Sequence, residues 1–252
     1  MSDPLERFDV DKRAQAQRVL SLLDLTSLGE DDRPEQILSL CSRARWHGGV
    51  AAVCIYPEHV GTARNALRDS CVKIASVVNF PDAGSDAMRV WRETRRALAA
   101  GADEIDVVMP WPAFCNGDIE SVRAALRATR EACSGGQIVK LILESGELAS
   151  AERIRSAAQL GIEAGMDFLK TSTGKASVNA TPEAAAIMLD VIAAHGGRCG
   201  FKAAGGIRTL DDVATYLDLA RQRLGDAWIA PDRFRIGASS LHDALIPLLH
   251  SD

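Results

Sequence analysis

The chain has 252 residues, 47% hydrophobic and 25% charged, a globular balance with ample material for a core. That excludes a disordered, collagen-like or disulfide-stapled chain. A net charge of −5, aromatics at 5% and no basic stripe exclude a nucleic-acid platform, so an anionic ligand would need local cations or backbone N–H groups.

The opening MSDPLERFDVDKR has no apolar h-region, and no secretory signal is expected. No apolar run approaches the roughly 18 residues of a membrane span, so no membrane partner is expected. The six cysteines never form C-x-x-C, and several sit in apolar segments, which reads as reduced thiols of a cytoplasmic protein. The five histidines are scattered, with no H-E-x-x-H or paired Cys/His motif. Neither a metal nor a cofactor is expected.

In chain order, residues 1–18 read as an extra helix. Eight apolar runs follow: Val19–Leu25, Val50–Tyr56, Val72–Phe80, Glu104–Met109, Ile138–Leu143, Asp167–Lys170, Cys199–Ala203 and Phe234–Ile236. They are nearly continuous, as parallel strands covered on both faces should be. Amphipathic stretches separate them, among them Ser85–Ala100 and Thr181–His195. The latter opens T-P-E, an N-cap followed by proline at the first helical position. Strict alternation with a count of eight predicts a (β/α)8 TIM barrel over residues 1–252, without a linker or second domain.

Active sites of such barrels lie at the carboxyl ends of the strands. There the sequence offers Asp24, Thr26, Cys54, Asn79, Asp106, Glu144, Lys170, Lys202 and Ser239. Only six of the 29 basic residues are lysines, so each interior lysine invites the question of why an amine is needed. Strand alternation puts Phe168 and Lys170 on one face, and Lys202 on a face with Gly200 and Ala204. If both faces point inward, two ammonium groups meet the Asp106 carboxylate in the barrel mouth.

Each residue alone also reads as an ion-paired or snorkelling side chain. The pair says more, because burying two like charges favours loss of one proton. Bringing a lysine from about 10.4 to about 7 takes roughly 4 kcal/mol, within reach of a neighbouring ammonium plus desolvation. Arginine cannot substitute, since it stays charged. Lys140 would be a third interior amine, expected in an ion pair. Cys54 either lines the mouth or is inert packing.

The later strand ends carry glycine and hydroxyl groups: S-T-G-K (Ser172 to Lys175), G-G-I-R (Gly205 to Arg208) and G-A-S-S (Gly237 to Ser240). Such loops also serve as plain turns. Together, after strands six to eight, they fit a phosphate held by backbone N–H groups and a helix N-terminus. The expected binding residues there are Thr173, Gly174, Lys175, Gly205, Gly206, Gly237, Ser239 and Ser240, with Asp24, Thr26 and Cys54 across the mouth.

The stretches LLDLT, VCIYP, GADEIDVV, VKLILESGEL, DFLKTSTGK, GFKAAGGIR and FRIGASSL, in order from about residue 20 to 245, resemble the 2-deoxyribose-5-phosphate aldolase family. The resemblance implies a metal-free class I aldolase with Lys170 as Schiff-base residue and Lys202 and Asp106 as its proton-transfer pair. It ranks Lys170 above Lys202, which the residues alone leave open. The implied reaction is reversible cleavage of 2-deoxy-D-ribose 5-phosphate to acetaldehyde and D-glyceraldehyde 3-phosphate, in deoxyribonucleoside catabolism. A Schiff-base barrel aldolase for another phosphorylated sugar is the alternative, and a non-catalytic sugar-phosphate-binding barrel a third. Partners are thus small phosphorylated sugars and aldehydes. A homo-oligomer is compatible with the sequence, which carries no sign of its size. Two departures stand out: Ala203 replaces a proline common in the family, and the chain ends LLHSD where some members carry a tyrosine-ended tail. The expectation is activity without that tail's assistance.

Overall fold

Strands this rich in apolar residues need cover on both sides, and here they obtain it from helices outside and from closing on themselves inside. In the computed structural model, which describes residues 4–250, eight parallel strands pair in sequence order and β8 returns to β1. They are β1 (Leu23–Thr26), β2 (Ala52–Ile55), β3 (Lys73–Val78), β4 (Glu104–Val108), β5 (Ile138–Ile142), β6 (Phe168–Lys170), β7 (Gly200–Ala204) and β8 (Phe234–Ala238). The fold is a (β/α)8 barrel. Helix α1 (Pro4–Ser21) precedes β1, and α2 (Pro34–Ala44), α3 (Val60–Ala66), α4 (Ala87–Ala99), α5 (Trp111–Cys115) and α6 (Ile119–Ala132) fill the first half. Helices α7 (Ser145–Leu148), α8 (Ala151–Glu163), α9 (Pro182–Ala194), α10 (Leu210–Leu224) and α11 (Leu241–Leu249) fill the second. Among the described residues no helix is long and apolar enough to cross a membrane.

Local chemistry starts these helices where the sequence places them. The side chains of Asp86, Asp118, Ser150, Thr181 and Thr209 accept hydrogen bonds from backbone N–H groups in the first turns of α4, α6, α8, α9 and α10, donors that would otherwise lack partners. Pro182 opens α9 directly after its Thr181 cap. The first apolar run divides differently from expectation. Val19, Leu20 and Ser21 end α1, and β1 begins only at Leu23. Val19 and Leu20 are fully buried helix residues, so an apolar helical stripe running into a strand reads as one continuous strand. The third run is also shorter, because Asn79 adopts a left-handed backbone (φ 54°) and ends β3.

The barrel wall separates two environments. Its outer side chains, such as Leu25, Val53, Ile105, Val107, Leu141, Leu169, Phe201 and Ile236, join the helices in one apolar core. Its inner side chains are small and neutral on β2 and β3, where Ala52, Cys54, Ala75 and Val77 cluster. On the other strands many are charged: Asp24, Glu104, Asp106, Lys140, Lys170, Lys202 and Arg235 are all buried.

Gly200 sets the spacing beneath these charges. A Cβ there would stand 2.6 Å from the Phe168 ring and 2.8 Å from the Arg233 carbonyl oxygen. The backbone oxygen cannot move aside without disturbing β8. Gly200→Ala should therefore lower unfolding stability by about 1–3 kcal/mol, as core overpacking does, measured as a fall in the urea midpoint without a change in slope.

Candidate active site

The register of the carboxyl-terminal half of the barrel brings the interior charges together. Lys140 pairs across the sheet with Asp106 on one side and Phe168 on the other. Lys170 lies beside Lys202, and Lys202 beside Arg235. Inside the barrel, Lys140 Nζ lies 2.5 Å from Glu104 Oε2, 2.8 Å from Asp106 Oδ1 and 3.6 Å from Asp24 Oδ2. Lys202 Nζ bridges Asp24 Oδ2 at 2.5 Å and Asp106 Oδ2 at 2.7 Å. Lys170 Nζ donates to Asp106 Oδ2 at 2.9 Å. Arg235 closes the network below, donating to Asp24 Oδ1 at 2.6 Å and Glu104 Oε1 at 2.9 Å. Its guanidinium also sits 5.7 Å from the centre of the Phe168 ring, a cation–π distance.

Isolated buried ions would each cost several kcal/mol, so the network persists only because every charge has partners. Burial alone would raise the Asp106 carboxyl, but the ammonium groups of Lys140, Lys170 and Lys202 overcome it and hold Asp106 well below the usual carboxylate range. Asp24 follows the same logic: burial raises it, and Lys202, Arg235 and Lys140 pull it below that range. Burial opposes the Lys202 ammonium, yet Asp106 and Asp24 outweigh it and raise Lys202 above ordinary lysine. Cys54 Sγ stands 3.8 Å from Asp106 Oδ2, and burial pushes its thiol up.

Above this network opens a cavity of about 270 Å³ at the carboxyl ends of the strands. Lys170 is the cluster member on its wall. Around it stand Thr26, Thr173, Gly174 and Lys175, then Gly205, Gly206, Gly237, Ser239 and Ser240. The three glycine–hydroxyl loops thus converge on one space. Gly205 needs to be glycine on two counts: its φ is +91°, and a Cβ would fall 2.7 Å from Asn179. Ser240 precedes the first turn of α11, so a helix N-terminus also faces the cavity. Lys175 spans the rim, its Nζ donating to the Leu28 carbonyl oxygen at 2.7 Å.

Two residues expected across the mouth lie elsewhere. Asp24 and Cys54 do not reach the cavity wall; both are fully buried beneath it, Asp24 as the shared partner of Lys202 and Arg235. A strand-end position was the reason to expect them at the mouth, but strand tilt leaves some ends one layer lower. Lys202 and Asp106 are likewise fully buried and meet the cavity through Lys170. Lys140 is the expected ion-paired amine.

Glu104 and Arg235 carried no role in the sequence reading. The period-two alternation applied to Lys170 and Lys202 also puts Glu104 on the face of Asp106, and Arg235 on the face of Gly237, two residues earlier. Glu144, offered by the sequence only as a strand-end position, gains a specific role. Its backbone is left-handed (φ 53°), and its Oε2 accepts from Thr173 Oγ1 at 2.5 Å while Oε1 accepts from Thr173 N–H at 3.2 Å. Burial pushes its carboxyl up. Thr173 Oγ1 in turn accepts from Lys175 N–H at 3.0 Å, so Glu144 fixes the loop between Lys170 and Lys175. Gly146 seats the same loop, since a Cβ there would overlap the Val178 carbonyl oxygen.

Among the described residues no cluster of His, Cys, Asp and Glu is arranged to hold a metal ion. What is present is a buried lysine–carboxylate set opening at one amine into a cavity lined by glycine and hydroxyl residues of three loops. That defines a (β/α)8-barrel protein equipped for amine chemistry on a small anionic molecule. The family model described as DeoC/LacD family aldolase matches residues 18–245, and the chain belongs to that family. It is an aldolase, a carbon–carbon lyase. A deoxyribose-phosphate aldolase of Agrobacterium fabrum (strain C58) is 46% identical over 239 residues, which span 94% of this chain and 92% of that protein. The deoxyribose phosphate aldolase of Aeropyrum pernix, described as a unique tetrameric structure, is 25% identical with a TM-score of 0.77, covering 95% of this chain and 94% of its own. An apo-form crystal structure from Toxoplasma gondii ME49, 24% identical, gives a TM-score of 0.88 over 96% of this chain and 98% of that one, a likeness of fold.

Breaking the network on its acidic side has a signed pH dependence. Asp24 titrates lower in the folded chain than its unfolded value near 3.9, so its contribution is complete above about pH 4 and is lost as pH falls toward the folded value. Asp24→Asn should cost about 3–5 kcal/mol of unfolding stability at pH 7. Denaturant titrations should find the gap from the unaltered protein narrowing below about pH 4.

Proposed function

We propose that this aldolase reversibly cleaves 2-deoxy-D-ribose 5-phosphate into acetaldehyde and D-glyceraldehyde 3-phosphate, with Lys170 as the imine-forming amine. The observation that carries the reading is that Lys170 alone joins the buried charge network to the cavity wall. The 46% identical Agrobacterium relative supports the substrate and favours it over another phosphorylated sugar. A cavity of about 270 Å³ suits a phosphorylated five-carbon sugar.

In the forward direction, Lys170 Nζ attacks the C1 carbonyl carbon, and water leaves as the imine forms. The protonated imine draws electrons, so loss of the C3 hydroxyl proton converts that oxygen to a carbonyl as the C2–C3 bond breaks. Glyceraldehyde 3-phosphate departs, and the electron pair remains as an enamine on Lys170. Protonation at C2 and hydrolysis release acetaldehyde and restore the amine. Asp106 and Lys202, hydrogen-bonded to each other at 2.7 Å, are the proposed pair through which these protons pass. Asp106 would act through a water that enters with substrate, since its own carboxylate is fully buried.

The phosphate rests on the backbones of Gly174, Gly205, Gly206, Gly237 and Ser239, with Ser240 at the start of α11 and Lys175 at the rim. Asp24, Thr26, Cys54 and Thr173 were expected to bind substrate too. In the proposed arrangement Thr26 and Thr173 do so from the wall, while Asp24 and Cys54 act from below. The six cysteines are unpaired thiols, which supports a reducing, cytoplasmic setting. A homo-oligomer is the parallel proposal from the Aeropyrum relative.

Borohydride reduction in the presence of deoxyribose 5-phosphate tests the chemistry. Peptide mass mapping should find the adduct on Lys170, and Lys170→Arg should abolish both adduct and turnover. Activity should persist in EDTA, and an adduct confined to another lysine would refute the assignment. Lys202→Leu should reduce kcat by at least about 100-fold, the scale of losing a proton-transfer partner. Unchanged turnover would remove Lys202 from the mechanism.

A further inference from the structure

The turn after β6 brings one unused backbone donor to the cavity and keeps the donors on either side of it occupied. Thr173 N–H donates to Glu144 Oε1 at 3.2 Å, and Lys175 N–H donates to Thr173 Oγ1 at 3.0 Å. Between them the Gly174 N–H meets no acceptor among the described residues, and Gly174 stands on the cavity wall. Its φ of +86° is one in which a side chain would be strained. A turn that leaves one N–H free beside a cavity offers it to an anion.

What holds that turn is a carboxylate outside the cavity wall. Glu144 is buried and does not line the cavity. Its Oε2 accepts from Thr173 Oγ1 at 2.5 Å, so one carboxylate takes both donors of one threonine. With the hydroxyl proton given to Glu144, the same oxygen keeps a lone pair for Lys175 N–H. Glutamine in that place would offer one acceptor oxygen where two donors arrive. Gly146, two residues on, seats the far end of the loop against Val178. Across the mouth, Lys175 Nζ reaches the Leu28 carbonyl at 2.7 Å, so the turn is fixed from two sides.

We propose that Glu144 is a positioning residue for phosphate recognition: by holding Thr173 it presets the Thr173–Lys175 turn and so sets the preference for a phosphorylated over an unphosphorylated deoxy sugar. As a charge, Glu144 is a poor neighbour for a phosphate, so its contribution has to be geometric. A donor already in place needs no ordering when the anion arrives, which leaves more of the contact energy as affinity. Glu144 also interacts with the Lys170 charge, and an effect on that amine is the competing account. The inference rests on the phosphate lying against Gly174, and adds the residue that prepares that contact.

Steady-state kinetics with 2-deoxy-D-ribose 5-phosphate and with 2-deoxy-D-ribose separates the two accounts. Glu144→Gln keeps the length and loses an acceptor, whereas Glu144→Asp keeps the charge and loses the reach. Both should raise KM for the phosphorylated sugar about tenfold, the scale of one lost hydrogen bond to a charged group, with kcat little changed. Both should weaken competitive inhibition by inorganic phosphate by about the same factor, and the ratio of kcat/KM between the two sugars should fall with it. Borohydride trapping of acetaldehyde on Lys170, a probe without phosphate, should proceed at the unaltered rate. A loss shared equally by both sugars, a changed rate of acetaldehyde adduct, or an effect of glutamine without one of aspartate would overturn the proposal.

Should neither variant fold, amide exchange in the unaltered protein still decides. The Thr173 and Lys175 amides should be protected before phosphate is added, and the Gly174 amide only after it. Thr173 protection that appears only with phosphate would overturn the proposal. If inorganic phosphate neither competes with the phosphorylated sugar nor protects Gly174, the phosphate reading itself falls. Competition in the unaltered protein with an unmoved sugar preference in both variants refutes the role of Glu144 alone.

Discussion

Everything at the carboxyl end of this barrel depends on keeping ions dry and paired. A barrel of eight strands leaves an interior that side chains must fill, and Val, Ile and Leu usually fill it. Here the interior around β4 to β8 and β1 holds lysines, an arginine and carboxylates instead. Removing such groups from water costs more than one contact returns, so no member is stable without the others. The ion pairs, 2.5 to 3.6 Å long, tie these side chains to one another and restrict their freedom. That rigidity suits a site in which one amine must meet one carbonyl carbon.

The outer wall makes this interior affordable. Helices α1 to α11 and the outward strand residues form a continuous apolar core, which supplies the bulk of the stabilisation at roughly 25 cal/mol per Å² buried. Small residues adjust the fit where charge meets hydrocarbon. Gly200 lets the Phe168 ring lie close to β7 and β8, and the same ring underlies the Arg235 guanidinium. Gly237 does similar work higher up, where a Cβ would stand 3.0 Å from Lys202 Cε. Packing and electrostatics therefore meet at the same few positions.

Much of this is legible in the residues. Eight apolar runs alternating with capped amphipathic stretches lead to the barrel, and alternation within Phe168–Lys170 and Gly200–Ala204 turns both lysines inward, as the structure has them. The glycine–hydroxyl loops around Gly174, Gly205 and Ser239 could be brought together on fold grounds, because adjacent strands end side by side. What was not legible depends on depth and on pairing. Asp24 and Thr26 are two residues apart, yet one is fully buried in the ion network and the other lines the cavity. Two residues along β1 raise Thr26 by about 7 Å over Asp24, and only the placement of β1 in the barrel says which of the two levels is the mouth. Glu104 and Arg235 lie 131 residues apart, and nothing local in either strand announces the other. The boundary of β1 was missed for a simpler reason: Val19 and Leu20 are equally apolar in a helix or a strand.

Lysine and arginine divide the work of this chain according to what each cation can do. Arg235 supplies a permanent charge and two-sided geometry, suited to holding Asp24 and Glu104 apart at fixed distance. Lys140 and Lys202 supply compact ammonium groups that fit between carboxylate oxygens on different strands. Under the proposed mechanism Lys170 must do what arginine cannot, namely release its proton and form a bond to carbon. Exchanging the two residue types would thus fail in both directions. An arginine at 170 has no neutral form to offer, and a lysine at 235 keeps the charge but cannot grip two carboxylates with one fork. Of the six lysines in the chain, three lie in this buried cluster and a fourth, Lys175, stands at its rim. The scarcity of lysine elsewhere is matched by its concentration where an amine has chemical work.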